Sequence, residues 1–183
     1  MASINATTSS GIVATADNTG QLALQAAGTT VMTITSTGVT TQVGAPAFSA
    51  YKNSGNQSLT SATFTKITFD TEIFDTNNNF ASSTFTPTVA GYYQINAGMS
   101  TSTSGTLSRV ILMIYKNGSA YHCLQDLIIA NYRYSGACLI YCNGSTDYIE
   151  AYAYVVGTSP VLESGAASTG YNTWINGFLA RSA

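Results

Sequence analysis

Apolar and polar residues alternate one for one along much of this chain. In "ATFTKITFDTEIF" (62–74), Phe64, Lys66 and Thr68 fall on one side and Thr65, Ile67 and Phe69 on the other. Such a period of two belongs to a half-buried strand. "SRVILMIYKNGSAYHCLQ" (108–125) runs a strand through Val110–Tyr115 into Asn117-Gly118. That dipeptide suits a two-residue hairpin turn, which needs positive φ at both positions. "GACLIYCNGSTDYIEAYAYVV" (136–156) repeats the device around Asn143-Gly144. In its second strand Tyr148, Glu150, Tyr152 and Tyr154 share one face, with Ile149, Ala151, Ala153 and Val155 opposite. "TWINGFLA" (173–180) reads as the last strand. No window shows a helical period with caps. Short strands at regular spacing between turn residues predict an all-β sandwich.

Residues 1–45 follow the same alternation with a different vocabulary. They hold eleven Thr, no aromatic residue and one charge, Asp17, and they are punctuated by Gly11, Gly20, Gly28, Gly38 and Gly44. Leu22 and Leu24 share a face in "QLALQ"; in "TVMTIT", Met32 and Ile34 share one and Val31, Thr33 and Thr35 the other. Strands this short and this sparsely apolar cannot bury a core alone. Three copies wound about one axis would close each other's edges. The segment is therefore expected to be an ordered β stalk or anchor, and it resembles repeat-like stretches of bacteriophage tail and fibre proteins. Aromatic residues appear from "VGAPAFSAY" (43–51) onward, which places the domain boundary there: 1–45 the leader, 46–183 the head.

Charged residues make up 8% of the 183, against about 25% in an ordinary globular protein. A surface of Ser, Thr, Asn and Gly carries little repulsion to keep copies apart, so an oligomer or large assembly is expected. Six Lys and Arg, with no basic run, cannot build a nucleic-acid surface. No stretch approaches the roughly 20 apolar residues of a membrane span. The start, "MASINATTSS", lacks the n- and h-regions of a secretory signal. The opening Met and short length are read as a whole gene product.

One constellation in the head has a family spacing. Phe69 is followed after five residues by Asp75 and after four more by Phe80; Phe85 is followed after five by Gly91, then Tyr92 and Tyr93. "YKNGS", "NGSTDYIEAY" and "WINGFL" add further matches. The head resembles the complement-one-q globular domain, sister to the tumour-necrosis-factor fold. Phe80 to Phe85 is two residues short of that pattern, Ile95 and Ala97 replace aromatics, and no collagen-like stalk is present. The resemblance implies a ten-stranded antiparallel jelly roll that packs as a homotrimer with its termini at the base. Gly91 is expected to permit a crowded turn, Pro87 to interrupt strand pairing, and Tyr92 and Tyr93 to point to opposite faces.

Eight of the twelve tyrosines lie between 115 and 154. Tyr115, Tyr148, Tyr152 and Tyr154 are expected at the trimer interface, since a tyrosine brings an apolar face and one hydroxyl to a half-wet contact. Catalytic residues are not expected: His122 is the sole histidine, and no G-x-S-x-G elbow or phosphate loop occurs. Asp70, Glu72 and Asp75 read as solvated strand-end carboxylates. Cys123, Cys138 and Cys142 read as buried free thiols, because Cys138 and Cys142 lie roughly 13 Å apart on one strand. No metal ligand set or cofactor is expected. The expected function is a trimeric decoration or cement protein on a bacteriophage capsid, its partners being other virion proteins. The alternative is a tail-fibre tip that binds a host surface glycan. Its ligand-binding loops would be 53–62 and 157–173, through Asn53, Asn56, Gln57, Glu163 and Tyr171. A secreted recognition module is the third reading, disfavoured by the absent signal.

Overall fold

The computed structural model describes residues 19–42, 44–128, 133–165 and 170–183. The first part of the leader, Tyr132 and part of the 157–173 loop lie outside the described residues. The chain divides into two compact units, 1–44 and 45–183.

The first unit contains a three-stranded antiparallel sheet in the order β1-β2-β3, formed by β1 (Leu22–Ala26), β2 (Thr29–Ile34) and β3 (Thr40–Gln42). Ala27 and Gly28 both take positive φ, at 48° and 78°, and turn β1 into β2. The register pairs Leu22 with Ile34 and Leu24 with Met32. The two apolar pairs therefore meet on one face, and both leucines remain exposed there.

The second unit is built from β4 (Ala47–Tyr51), β5 (Gln57–Ser58), β6 (Thr65–Lys66), β7 (Thr71–Asp75), β8 (Phe80–Ala81), β9 (Thr84–Phe85), β10 (Gly91–Ser102), β11 (Arg109–Lys116), β12 (Ser119–Leu127), β13 (Arg133–Cys142), β14 (Ile149–Val156), β15 (Val161–Leu162) and β16 (Trp174–Ser182). All pairings are antiparallel, and no helix occurs among the described residues. One sheet runs β5-β15-β10-β16-β4-β7, with β13 also on β10; the other runs β12-β11-β14-β9-β8, with β6 on β14. Where the family resemblance implies ten strands, this unit has thirteen among the described residues, five of them pieces of two residues (β5, β6, β8, β9, β15). The unit is an all-β jelly-roll sandwich.

The spaced residues of the sequence form the core between the sheets. Phe48 stacks on Phe80 (4.9 Å) and Phe85 (4.3 Å), and Tyr93 meets Phe85 edge-on at 5.3 Å. Asp75 is conformational: its Oδ2 accepts the Phe80 N–H at 2.7 Å and closes the 75–80 turn. Tyr93 faces inward and Tyr92 outward, as the alternation requires. The buried Tyr93 hydroxyl donates to the Val89 carbonyl at 2.7 Å, and burial pushes its pKa up to about 12. Pro87 follows the end of β9 in unpaired chain. Gly91 differs from expectation: it opens β10 rather than sitting in a positive-φ turn, and a backbone atom crowds it. A Cβ there would lie 2.4 Å from the Arg181 carbonyl oxygen.

Asn117 (φ 54°) and Gly118 (φ 75°) form the predicted hairpin between β11 and β12. Asn143-Gly144 does not form a second one, which corrects the sequence reading. β13 belongs to the first sheet and β14 to the second, so residues 143–148 carry the chain across the sandwich. Asn143 Oδ1 accepts the N–H groups of Ser145, Thr146 and Asp147 at 2.9–3.0 Å, a local turn that outweighs the dipeptide's hairpin preference.

The Leu179 N–H donates to the Pro46 carbonyl and the Ala183 N–H to the Ala90 carbonyl. The second unit thus starts and ends side by side, at the Gly91 end of β10.

Candidate functional site

Three surfaces of the second unit carry side chains that the core does not use. The first is the outward face of the first sheet. Register places Leu139 and Phe178 on either side of Gln94, and Tyr92 opposite Tyr141. Phe74 lies on β7, two strands beyond the β16 of Phe178 and opposite Ser49. Leu139 is 55% exposed and Phe178 and Phe74 are each 48% exposed. Alternation could have located this patch, because Tyr92, Leu139 and Tyr141 fall on the polar phase of otherwise buried strands. The count of tyrosines drew attention elsewhere.

The second surface is the outward face of β11 and β14, where the sequence predicts the trimer contact. Tyr115 stacks on Tyr152 at 3.8 Å, and Phe64 packs against Tyr154 at 5.0 Å and Tyr115 at 6.0 Å. Arg109 lies over Tyr154 and is paired with Asp126 at 2.7 Å. Beneath them Lys66 bonds Glu150 at 2.7 Å. Tyr148 stands apart at the Gly118 turn; a Cβ on Gly118 would lie 3.2 Å from its hydroxyl. Much of this cluster's ring area is therefore satisfied within one copy.

The third surface lies where the two predicted loops meet. β5 pairs with β15, and Asn56 Oδ1 accepts the Ser164 N–H at 3.0 Å. Most of the proposed ligand contacts are occupied. Gln57 donates to the Lys66 carbonyl and accepts from Thr68; Glu163 accepts from Ser100 Oγ at 2.7 Å; the Asn53 N–H donates to Asp70. Asn56 ties one loop to the other, and Asn53, Gln57 and Glu163 anchor the loops to neighbouring chain. Tyr171 alone among them lines a recess, its ring tilted by 43° against that of Tyr51 at 4.3 Å. The recess is a cleft of about 220 Å³ lined by Met99, Arg133, Tyr134, Ser135, Tyr171, Asn172 and Trp174. The Trp174 indole lies over Gly98, where a Cβ would come within 2.6 Å of Nε1 and Cε2. Arg133 Nη2 donates to Asn172 Oδ1 at 3.1 Å, and Asn172 Nδ2 donates to the Ser164 carbonyl. Sequence reasoning missed Arg133 and Trp174, and it covered Asn172 only as part of the 157–173 loop. The single tryptophan beside a Gly/Ser-rich loop was the signal available.

The remaining candidates are structural. Asp70 accepts the backbone N–H groups of Asn53 and Ser54 and the Thr71 hydroxyl, with Lys52 at 3.6 Å. Among the described residues no cluster of three His, Cys, Asp or Glu fits a metal ion. Cys138 and Cys142 are buried free thiols, each pushed up to about 11 by burial. Cys123 is exposed, which corrects its predicted burial: it lies on β12, the edge strand of its sheet. A thiol reagent at pH 8 is expected to titrate one cysteine in the native protein and three in denaturant, because about one in a thousand of the buried thiols is ionised. Three fast-reacting native thiols would contradict this packing.

Asp147 ties the two Asn-Gly segments together. It accepts from Asn117 Nδ2 at 2.7 Å, from the Asn143 N–H at 3.0 Å and from Lys116 Nζ at 2.9 Å. The hydrogen bonds from Asn117 and Lys116 hold its carboxyl below the usual range. A carboxylate bound more tightly in the fold stabilises above its unfolded pKa of about 3.9, and that stability is lost as pH falls through the folded value. Asp147→Asn should therefore flatten the acid limb of melting temperature against pH between 7 and 2. Parallel acid limbs in variant and parent would remove Asp147 as its source.

No protein-family model matches the chain, and no curated protein does. Solved structures do. The globular domain of zebrafish complement 1qA protein aligns with TM-score 0.50 at 16% identity, over 75% of this chain and 99% of that one. Murine APRIL at pH 8.5 aligns with TM-score 0.51 at 11% identity, over 74% and 98%. PRD1 vertex protein P5 aligns with TM-score 0.47 at 14% identity, over 74% and 97%. The fold is a complement-one-q/tumour-necrosis-factor-like jelly roll.

Proposed function

We propose that the protein is a non-enzymatic structural component of a bacteriophage virion, a homotrimeric decoration or cement protein on the capsid surface. The leader would grip the shell and the jelly-roll head would face outward. The observation that carries the assembly is the exposed apolar row Tyr92–Leu139–Tyr141–Phe178 with Phe74. Large apolar side chains clustered on one exposed face mark protein contacts. With 8% charge, little repulsion opposes that contact. The leader supports the same reading, since its sheet leaves Leu22 and Leu24 exposed. Its glycine-punctuated Ser/Thr composition and the resemblance to fibre segments supply the virion context. Purified virions decide the matter. Antibody to the head should label the capsid in regular threefold or quasi-threefold positions, and particles lacking the protein should lose density there. Label on the tail alone would refute the capsid role.

The second reading is a receptor-binding tail-fibre tip recognising a host surface glycan. The aromatic cleft at Trp174 and Tyr171 favours it. That reading predicts tail label and reduced adsorption when the cleft is altered.

A further inference from the structure

We propose that the cleft between Arg133, Tyr171 and Trp174 binds an anionic saccharide, with its ring on the aromatic side chains and its carboxylate on Arg133. This deepens the attachment reading above. The cleft corresponds to about seven waters at roughly 30 Å³ each, room for one sugar ring rather than a chain. A pyranose has an apolar face of C–H groups and a rim of hydroxyls. It therefore needs a flat aromatic surface surrounded by donors and acceptors. Trp174 and Tyr171, a residue 39% exposed, supply the first, and Ser135 and Asn172 line the polar rim. The Trp174 indole N–H has no protein acceptor among the described residues.

Charge selects the class of sugar. Lys52, Lys66, Arg109 and Lys116 each have a carboxylate within 4 Å. Arg133 has none among the described residues, and its bond is to the neutral Asn172 amide. The nearby Glu163 is engaged by Ser100 and does not line the cleft. Asn172 is itself fixed by the Ser164 carbonyl and by Gly165, where a Cβ would lie 2.4 Å from its Nδ2. The guanidinium is thus tethered through a positioned amide, and that one bond uses only part of its five-donor fork. A planar carboxylate from outside completes that geometry.

The cleft also lies apart from the apolar row. Trp174 and Phe178 are four residues apart on β16, about 13 Å along the strand. A trimer closed on the Tyr92–Leu139–Tyr141–Phe178 part of that face would leave the Trp174 end of the sheet to a ligand, with Phe74, level with Asn176, between the two.

Trp174 is the chain's single tryptophan, so its emission reports on the cleft alone. The full chain should be titrated at fixed ionic strength with N-acetylneuraminic acid and glucuronic acid, with glucose and galactose as neutral controls. The expected result is a saturable emission change with at least one acidic sugar, weakened about tenfold in Arg133→Gln and less in Arg133→Lys. Gly98→Ala, which displaces the indole, should abolish the response while the melting transition of Arg133→Gln matches the parent. No saturable change with either acid, an equal response to the neutral sugars, or unchanged affinity in Arg133→Gln would overturn the proposal. Antibody labelling of virions keeps this inference and the attachment reading separate. Tail label without a sugar response removes this inference alone, and a sugar response with label on the capsid alone removes the tail-fibre reading alone.

Discussion

Phe85→Ala is expected to cost the head about 4 kcal/mol of unfolding free energy. Phe85 is fully buried, stacks on Phe48 at 4.3 Å and receives the edge of Tyr93 at 5.3 Å. Its neighbours Ile149 and Phe80 sit directly across the strands from it. Truncation loses the transfer free energy of a whole ring and leaves a cavity between two hydrogen-bonded sheets, which cannot close without breaking register. The change should appear as a lower urea midpoint with an unchanged slope. Protomer concentration must be held constant, since an assembly's stability depends on it. A loss below about 1 kcal/mol would show that the ring is not the centre of the core. Gly91→Ala makes a sharper companion. The new methyl would meet the Arg181 carbonyl oxygen at 2.4 Å, and a strand backbone yields less readily than a side chain.

The second large effect concerns assembly. Leu139→Glu should convert a species of about 57 kDa, three times 19.1 kDa, into one of 19 kDa by light scattering. Leu139 stands 55% exposed beside Gln94, with Phe178 on the far side of the same row. A carboxylate buried against the apolar row of a neighbour would lack a partner, and such burial costs several kcal/mol per contact. Three symmetric contacts multiply that penalty. Tyr152→Ala, on the other sheet, is the control: it removes a ring stacked on Tyr115 within one copy and should leave the mass unchanged. If Tyr152→Ala dissociates the assembly and Leu139→Glu does not, the contact lies on the tyrosine cluster.

The fold was legible because its determinants are local or spaced. Alternation assigned the buried positions of β14 correctly: Ile149, Ala151, Ala153 and Val155 are fully buried. The intervals from Phe69 to Tyr93 were readable as a pattern because Phe69, Phe80, Phe85 and Tyr93 meet in one core, with Asp75 closing the turn between them and Gly91 packed on a strand backbone. Asn143-Gly144 misled because a dipeptide states a turn but not which sheet the chain enters afterward. That choice is made by β10, which pairs β13 on one side and β16 on the other. The cleft was largely illegible. Arg133, Met99, Asn172 and Trp174 come together only through the pairing of β10 with β13 and β16, contacts that no window of sequence contains. Glu163 and Asn56 are residue types suited to ligands, yet Asn56 bonds the facing loop at Ser164 and Glu163 bonds Ser100 on β10.

The adjacency of Pro46 with Leu179 and of Ala90 with Ala183 has a practical consequence for engineering. A peptide fused after Ala183 would emerge beside the point where the head's chain enters, and it would project from the base. Cargo meant for the opposite pole must be inserted into a distal loop instead. The same closeness suits the head to circular permutation: a short linker could join the old ends, and new ones could open at Gly55, an exposed position beyond the end of β4. A display scaffold made this way would carry its guest on the far side while keeping the core and the apolar row unaltered.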